Sequence, residues 1–393
     1  NFQLFIKYFM WKNIDEKIIS VKGFCLSSKF SEGKIYGQHL GVKTFGFIEI
    51  TTESGKKGFG ENYASVYAPE ILPKIVEFLE IFLKGKKIGD QNLLDKFNKV
   101  PIISRNGILR SICGSVEVAI WDLRGKLLNK PTYKLLGKKR DKVPCYASGG
   151  SISMTKNEIS KEVEKSLEEG FTAYKMRVGL QTWSKDLQRV KCAREELGKK
   201  DLMIDAIMGT IDPQWELKDA SKKIDNLKKF NPRWIEEPLH PNNIEGFLKL
   251  RSKCKVPIAA GEAYSGILEF ETIIRNKLVD VLQFDCTHSG GIEFCQYLSK
   301  ISKKKKIECA IHVWGSPVAL AANTHLAHSL ENIVYIEIPR VKFEISKHLF
   351  FDHPKILNGH IKISDAPGIG VNITNKTKEN FPFVKGSAFS LKK

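Results

Sequence analysis

Between Pro144 and Arg340 short apolar runs alternate with amphipathic stretches, and no other feature limits the fold as strongly. The runs are PCYAS (144–148), TAYKMRV (172–178), LMIDA (202–206), RWIEE (233–237), PIAAGE (257–262), DVLQFD (280–285), ECAIHV (308–313) and NIVYIEI (332–338). Helical patterns such as KNEISKEVEKSLEEG and GILEFETIIRNK lie between them. Strand–helix alternation calls for a parallel sheet. Eight strands, each but the last followed by a helix, call for a (β/α) barrel. The span is short for that fold, so the loops must be tight. A doubly wound open sheet is the competing topology, but no G-x-G-x-x-G follows the first strand, which speaks against its nucleotide-binding version.

The flanking regions read differently. IISVKGFCL and TFGFIEITT carry the β-branched and aromatic residues of strands, and ESGKKGFGE has the glycine spacing of a tight hairpin. From Pro69 to Lys84 and from Ile112 to Leu128 the period becomes helical. Three units are therefore expected: an α+β unit over 14–135, a barrel over 140–340, and a C-terminal segment over 341–393 that returns to the N-terminal unit.

Charge raises the question of a polyanionic partner. Lys plus Arg is 63 against 44 for Asp plus Glu, a balance of +19. Only 11 of the cations are Arg and 52 are Lys, whereas bidentate phosphate and base-edge contacts favour Arg. The excess reads as Lys-rich composition, and no nucleic-acid partner is expected. A basic binding protein on a decayed barrel is the reading from another class; its affinity would fall steeply with salt. The 8 cysteines include no C-x-x-C pair, so reduced thiols and a cytoplasmic home are expected. No apolar run reaches about 18 residues, so no membrane partner is expected. The leading NFQLFIKYFMWKN lacks a small-residue cleavage site; no signal peptide is expected, and the residues before Met10 read as an extension.

The C-terminal strand ends are where barrel enzymes place their chemistry. Strand by strand they offer Lys175 and Arg177, then Asp205, Glu236, Glu262, Asp285, His312 and Glu337. From Lys175 the spacings are 30, 31, 26, 23, 27 and 25 residues, one βα unit each. Asp205, Glu236 and Glu262, from adjacent strands, form an oxygen-only set that suits a hard cation such as Mg²⁺. In IEEP, Glu236 and Glu237 point to opposite faces, so only one can be an inward ligand. Lys175 and Arg177 share a face; a Lys among cations can become a base, while Arg stays charged and clamps a carboxylate. Asp285 beside His312 would fix the imidazole tautomer and make a general acid/base pair. His39, His288, His325 and His328 receive no role.

The order K-x-R, D, E-E-P, G-E, D, H and E resembles the enolase superfamily in its mandelate racemase-like subgroup. ESGKKGFGE resembles that family's capping hairpin, VEVAIWDLRGKLLNKP the helix before the barrel, and DAPGIGV the C-terminal capping segment. The resemblance implies a modified (β/α)7β barrel under an N-terminal α+β capping domain. It implies Mg²⁺ on Asp205, Glu236 and Glu262, abstraction of the proton α to a substrate carboxylate, and an enediolate stabilised by metal and cations. By position Lys175 and Arg177 match the paired basic residues, Asp285 and His312 the dyad, and Glu337 the acid that hydrogen-bonds the enolic oxygen. The family also implies a homo-oligomer. Arg177 stands where the racemase has a second basic Lys. Removal of the α-proton by His312 and protonation of a departing β-hydroxyl then imply an acid-sugar dehydratase, giving a 2-keto-3-deoxy acid from a small sugar-acid carboxylate. A racemase or epimerase of a 2-hydroxy acid on the same site is the alternative.

Overall fold

The computed structural model describes residues 11, 14–32, 36–90, 92–95, 97, 105–349, 354–363 and 365–390. The extension before Met10 lies outside the described residues, as does part of the loop between the first two strands.

Strands β1 (Ile18–Glu32), β2 (Val42–Thr52) and β3 (Lys57–Asn62) form an antiparallel meander, and the late strand β12 (Lys342–Phe343) extends it at the β1 edge. Two helices, α1 (Leu72–Leu83) and α2 (Gly107–Leu127), lie against this sheet. The glycines of ESGKKGFGE do more than turn the chain. A Cβ on Gly58 would meet the Ala119 carbonyl at 2.3 Å, and one on Gly60 the Ser115 carbonyl at 2.3 Å. The bare backbone therefore lets β3 lie directly on α2. Asp122 of α2 locks the contact by accepting from Phe59 N at 2.8 Å and from Ile369 N at 2.8 Å.

The eight apolar runs are eight parallel strands: β4 (Val143–Ser148), β5 (Ala173–Arg177), β6 (Asp201–Asp205), β7 (Trp234–Glu236), β8 (Ile258–Ala260), β9 (Val281–Phe284), β10 (Glu308–Ile311) and β11 (Ile333–Pro339). They pair in order, and β11 pairs with β4, so the sheet closes into a barrel rather than the open sheet that competed with it. After the short α3 (Thr132–Leu135), the outer helices are α4 (Lys156–Glu168), α5 (Trp183–Leu197), α6 (Leu217–Leu227), α7 (Ile244–Lys253), α8 (Ile267–Asn276), α9 (Ile292–Lys304) and α10 (Pro317–His328). Helices α4 to α9 bury an apolar stripe and leave a charged face in water, whereas α10 carries no charged residue of the Asp, Glu, Lys or Arg type and is buried along nearly its whole length. The cations at Lys303–Lys306 sit exposed where α9 ends.

Inside the barrel, Tyr146, Ala173, Met203, Trp234, Ala259, Val281 and Ala310 form a buried floor, with Tyr335 packed on it. Large and small side chains interdigitate there and leave no pore. Side chains alternate along a strand. Two residues above this floor the inward positions are Ser148, Lys175, Asp205, Glu236, Gln283, His312 and Glu337.

The C-terminal segment takes an indirect route. A hairpin, β13 (Lys355–Leu357) and β14 (His360–Lys362), first pairs with the start of β4 through Ile361 and Val143. Beyond it, helix α11 (Asn375–Asn380) reaches the capping sheet: Lys378 bridges Glu49 at 2.7 Å and Val384 N donates to Ser27 at 2.9 Å. No described helix is long and apolar enough to cross a membrane.

Candidate active site

All eight rim residues converge at one end of the barrel. Asp205 and Glu236 stand opposite each other in the β6–β7 register. Glu262 lies two residues past β8 and is out of phase with inward Ala259. Gly261, at φ +145°, resets the alternation and turns Glu262 inward. No side chain could replace it, since a Cβ would lie 1.9 Å from the Gln283 carbonyl. One carboxylate oxygen from each of Asp205, Glu236 and Glu262 falls within 4.8 Å of the others.

The cations face this cluster. Lys175 Nζ lies 2.5 Å from Glu236 Oε1, 3.2 Å from Glu337 Oε1 and 3.7 Å from Asp205 Oδ2. Its side chain is 0% exposed, so only paired carboxylates make the charge tolerable. Burial opposes the ammonium, but Glu236, Glu337 and Asp205 outweigh it and hold the pKa well above the usual lysine value. With no cation bound, the immediate neighbours of Lys175 are anions, and they keep it charged. Arg177 Nη2 lies 3.4 Å from Glu337 and its Nε 3.8 Å from Asp205, while Nη1 donates to the Gly149 carbonyl at 2.8 Å. The Trp314 ring covers its guanidinium at 4.7 Å.

On the opposite wall His312 Nδ1 bonds Asp285 Oδ2 at 3.1 Å. Its Nε2 points into the site, 3.6 Å from Glu262 and 4.0 Å from Glu337. Asp285 is saturated on its other oxygen by Asn323 Nδ2 at 2.6 Å, Thr287 N at 2.8 Å and Thr287 Oγ1 at 2.7 Å. Burial opposes the imidazolium, yet Glu262, Asp285 and Glu337 raise the His312 pKa to about 9. Glu337 moves the other way: burial raises it, but Lys175, His312 and Arg177 bring it down to about 2. Burial and the Glu236 charge push Asp205 well above the carboxylate range. Five carboxylates thus share one buried site with Lys175, Arg177 and His312. An oxygen-only, net acidic set of this kind fits a hard divalent cation at Asp205, Glu236 and Glu262.

Other residues complete the chamber. Ser148 donates its hydroxyl to Glu337 and accepts from Arg177 at 3.0 Å. Tyr36, Tyr63, Tyr67, Trp314 and Phe389 close over Arg177, Glu262 and His312, leaving a cavity of about 30 Å³. Ser148 could have been found from the strand pattern, because it is one pleat above Tyr146. Phe389 and Asn323 carry no local signal. Glu237 is also buried rather than set on an outer face. Its φ of +40° breaks the alternation, and burial with Glu262 and Asp205 nearby pushes its carboxyl well above its usual range. His288 bonds Ser111 at 3.0 Å and packs edge-on against Tyr63 of the roof at 5.7 Å, while His325 and His328 pack on Tyr133.

Comparison with known proteins places this geometry. Residues 158–377 match the family described as enolase C-terminal domain-like. Residues 37–137 match the mandelate racemase / muconate lactonizing enzyme N-terminal domain. The chain is 29% identical over 337 residues to an arabinonate dehydratase of Saccharolobus solfataricus, covering 85% of this chain and 89% of that protein. It is 28% identical over 337 residues to an L-talarate/galactarate dehydratase of Salmonella typhimurium, covering 84% and 80%. A crystal structure of that dehydratase, liganded with Mg and L-lyxarohydroxamate, superposes with a TM-score of 0.81 at 25% identity, covering 94% of each chain.

Proposed function

The chain belongs to the enolase superfamily, in its mandelate racemase and muconate lactonizing branch, and on that premise we propose that it is a Mg²⁺-dependent acid-sugar dehydratase. The observation that carries this reading is a single free imidazole nitrogen, His312 Nε2, backed by Asp285 and facing the carboxylate cluster.

Asp205, Glu236 and Glu262 would hold Mg²⁺, which when bound supplies positive charge beside the substrate carboxylate and makes its α-carbon acidic. Lys175 and Arg177 add fixed positive charge on the opposite side of the carboxylate, and protonated Lys175 donates to the developing oxyanion. His312 Nε2 takes the α-proton as its C–H bond breaks, and the electron pair moves into the enediolate. The enediolate then collapses and expels the β-hydroxyl, which leaves as water with the proton from Nε2. The enol product tautomerises to a 2-keto-3-deoxy acid.

The pairing of Lys175 favours elimination over racemisation. Racemisation needs a second base opposite His312, and Glu337, which is outside the metal-ligand set, stands 3.2 Å from Lys175 and favours its charged form. Arg177, the other candidate at that wall, does not deprotonate. The epimerase reading keeps one supporting observation: two nitrogen groups, Lys175 and His312, on opposite sides of the site. The cavity has room for about one water, so substrate binding displaces part of the aromatic roof. The similarity to two sugar-acid dehydratases and the polar, charged lining above the barrel floor support a hydroxylated monoacid or diacid as substrate. Eight free cysteines among the described residues support a reducing, cytoplasmic setting.

The test is a screen of sugar acids with Mg²⁺, read by semicarbazide for 2-keto acids. A 2-keto-3-deoxy product from at least one acid is expected; none from any, with the metal present, would sink the dehydratase reading.

A further inference from the structure

The loop after β10 carries His312 and Trp314 and runs directly into α10. Its outer side is gripped by two buried polar side chains from the capping sheet. Glu61, next to the last residue of β3, is 1% exposed. Its Oε1 accepts from Ser316 N at 2.8 Å, and its Oε2 accepts from Ser316 Oγ at 2.5 Å and Ala319 N at 2.9 Å. The two N–H groups are donors that a helix start leaves unpaired, and an acidic side chain there also suits the helix dipole. Gly315 permits the approach, since a Cβ on it would lie 2.6 Å from Glu61 Oε1. Lys43 of β2, 2% exposed, donates to the Trp314 carbonyl and stands 4.7 Å from the Trp314 ring.

The inner side of the same loop is tied to the barrel, where Val313 N donates to Glu337 at 3.1 Å. Further along α10, Asn323 holds Asp285, the partner of His312. One rigid helix therefore links the Glu61 contact at its start to the dyad. We propose that Glu61 and Lys43 are positioning residues: docking of the capping sheet, through these two side chains, sets where His312 and Trp314 stand in the site. The role assigned to the dyad rests on the reading above, but the grip itself does not.

The experiment uses the full chain and two readouts that need no turnover, amide exchange by mass spectrometry and the NMR signal of the His312 Nδ1 proton shared with Asp285. In Glu61→Gln, peptides covering 312–320 should exchange about tenfold faster while β2 and β3 peptides keep wild-type rates, and the Nδ1 proton signal should broaden or vanish. Ser316→Ala, a milder change, should give the same pattern more weakly and serves if Glu61→Gln does not fold. Where turnover is measurable, kcat should fall about 10- to 100-fold with KM unchanged, the mark of misplacement rather than lost binding. Wild-type exchange over 312–320, or faster exchange spread evenly over the capping sheet, would overturn the proposal. Failure of the wild type to turn over any sugar acid would instead count against the dehydratase reading, with the exchange pattern still deciding the grip.

Discussion

The Nε2 of His312 faces Oε2 of Glu262 at 3.6 Å while Nδ1 is tied to Asp285. One imidazole thus connects the carboxylate cluster to the acid/base pair. Without a cation the anionic surroundings raise His312 to about 9, so the ring is protonated near neutrality. A base must be neutral. Positive charge at Glu262 removes part of that stabilisation and favours the neutral ring.

The first prediction follows from this contact. Histidine NMR of the metal-free protein should show one imidazole titrating near pH 9, and saturating Mg²⁺ should move it down. An unchanged titration would separate His312 from the cluster.

Metal removal has a stability readout. Mg²⁺ at about a hundred times its Kd should stabilise the fold by about 2.7 kcal/mol, seen as a rise in Tm over an EDTA-dialysed sample. Asp205→Asn should abolish that rise, because it deletes a charged oxygen from the set.

Asn323→Ala tests the support of the dyad. It removes the 2.6 Å bond to Asp285 and the acceptor of Cys286 N at 3.0 Å, both buried. A loss of about 2–3 kcal/mol in denaturant unfolding is expected, with a lower kcat. His312→Asn should cost about 100- to 10,000-fold in kcat while leaving Mg²⁺ binding in place.

His325 gives a pH prediction independent of the metal. Burial, with His328 close by, lowers its pKa from the ordinary imidazole value of 6.5 to about 3, and its Nδ1 accepts from Tyr133 N at 3.0 Å. The unfolded chain therefore binds this proton first as pH falls. Its contribution to stability is intact above about pH 6.5 and declines toward pH 3, at up to about 1.4 kcal/mol per pH unit. His325→Gln should flatten that acid limb relative to wild type in urea unfolding.

Much of the barrel was legible because its strands are short and each closes on an ionisable residue one βα unit from the next. Asp205 and Glu236 could be read from strand alternation. The G-E step at 261–262 was legible only as a pair, since Gly261 changes the parity that alternation assumes. That Lys175 shares a rim with five carboxylates could be read from the strand ends; which of them touch it could not, because Glu236 and Glu337 come from strands 61 and 162 residues away in number. The grip of Glu61 on Ser316 spans 255 residues, and Phe389 reaches the roof from the C-terminal segment. Contacts of this kind depend on how the cap docks, and no local pattern carries them.

The central claim is that one base, His312, both removes the α-proton and returns it to a leaving hydroxyl. Partial conversion of a turned-over sugar acid with Mg²⁺ in D₂O tests it directly, with product and residual substrate resolved by NMR. The expected result is a growing 2-keto-3-deoxy acid beside residual substrate of unchanged configuration at C2. Deuterated C2 epimer without any keto acid would show a second base at work and contradict the assignment.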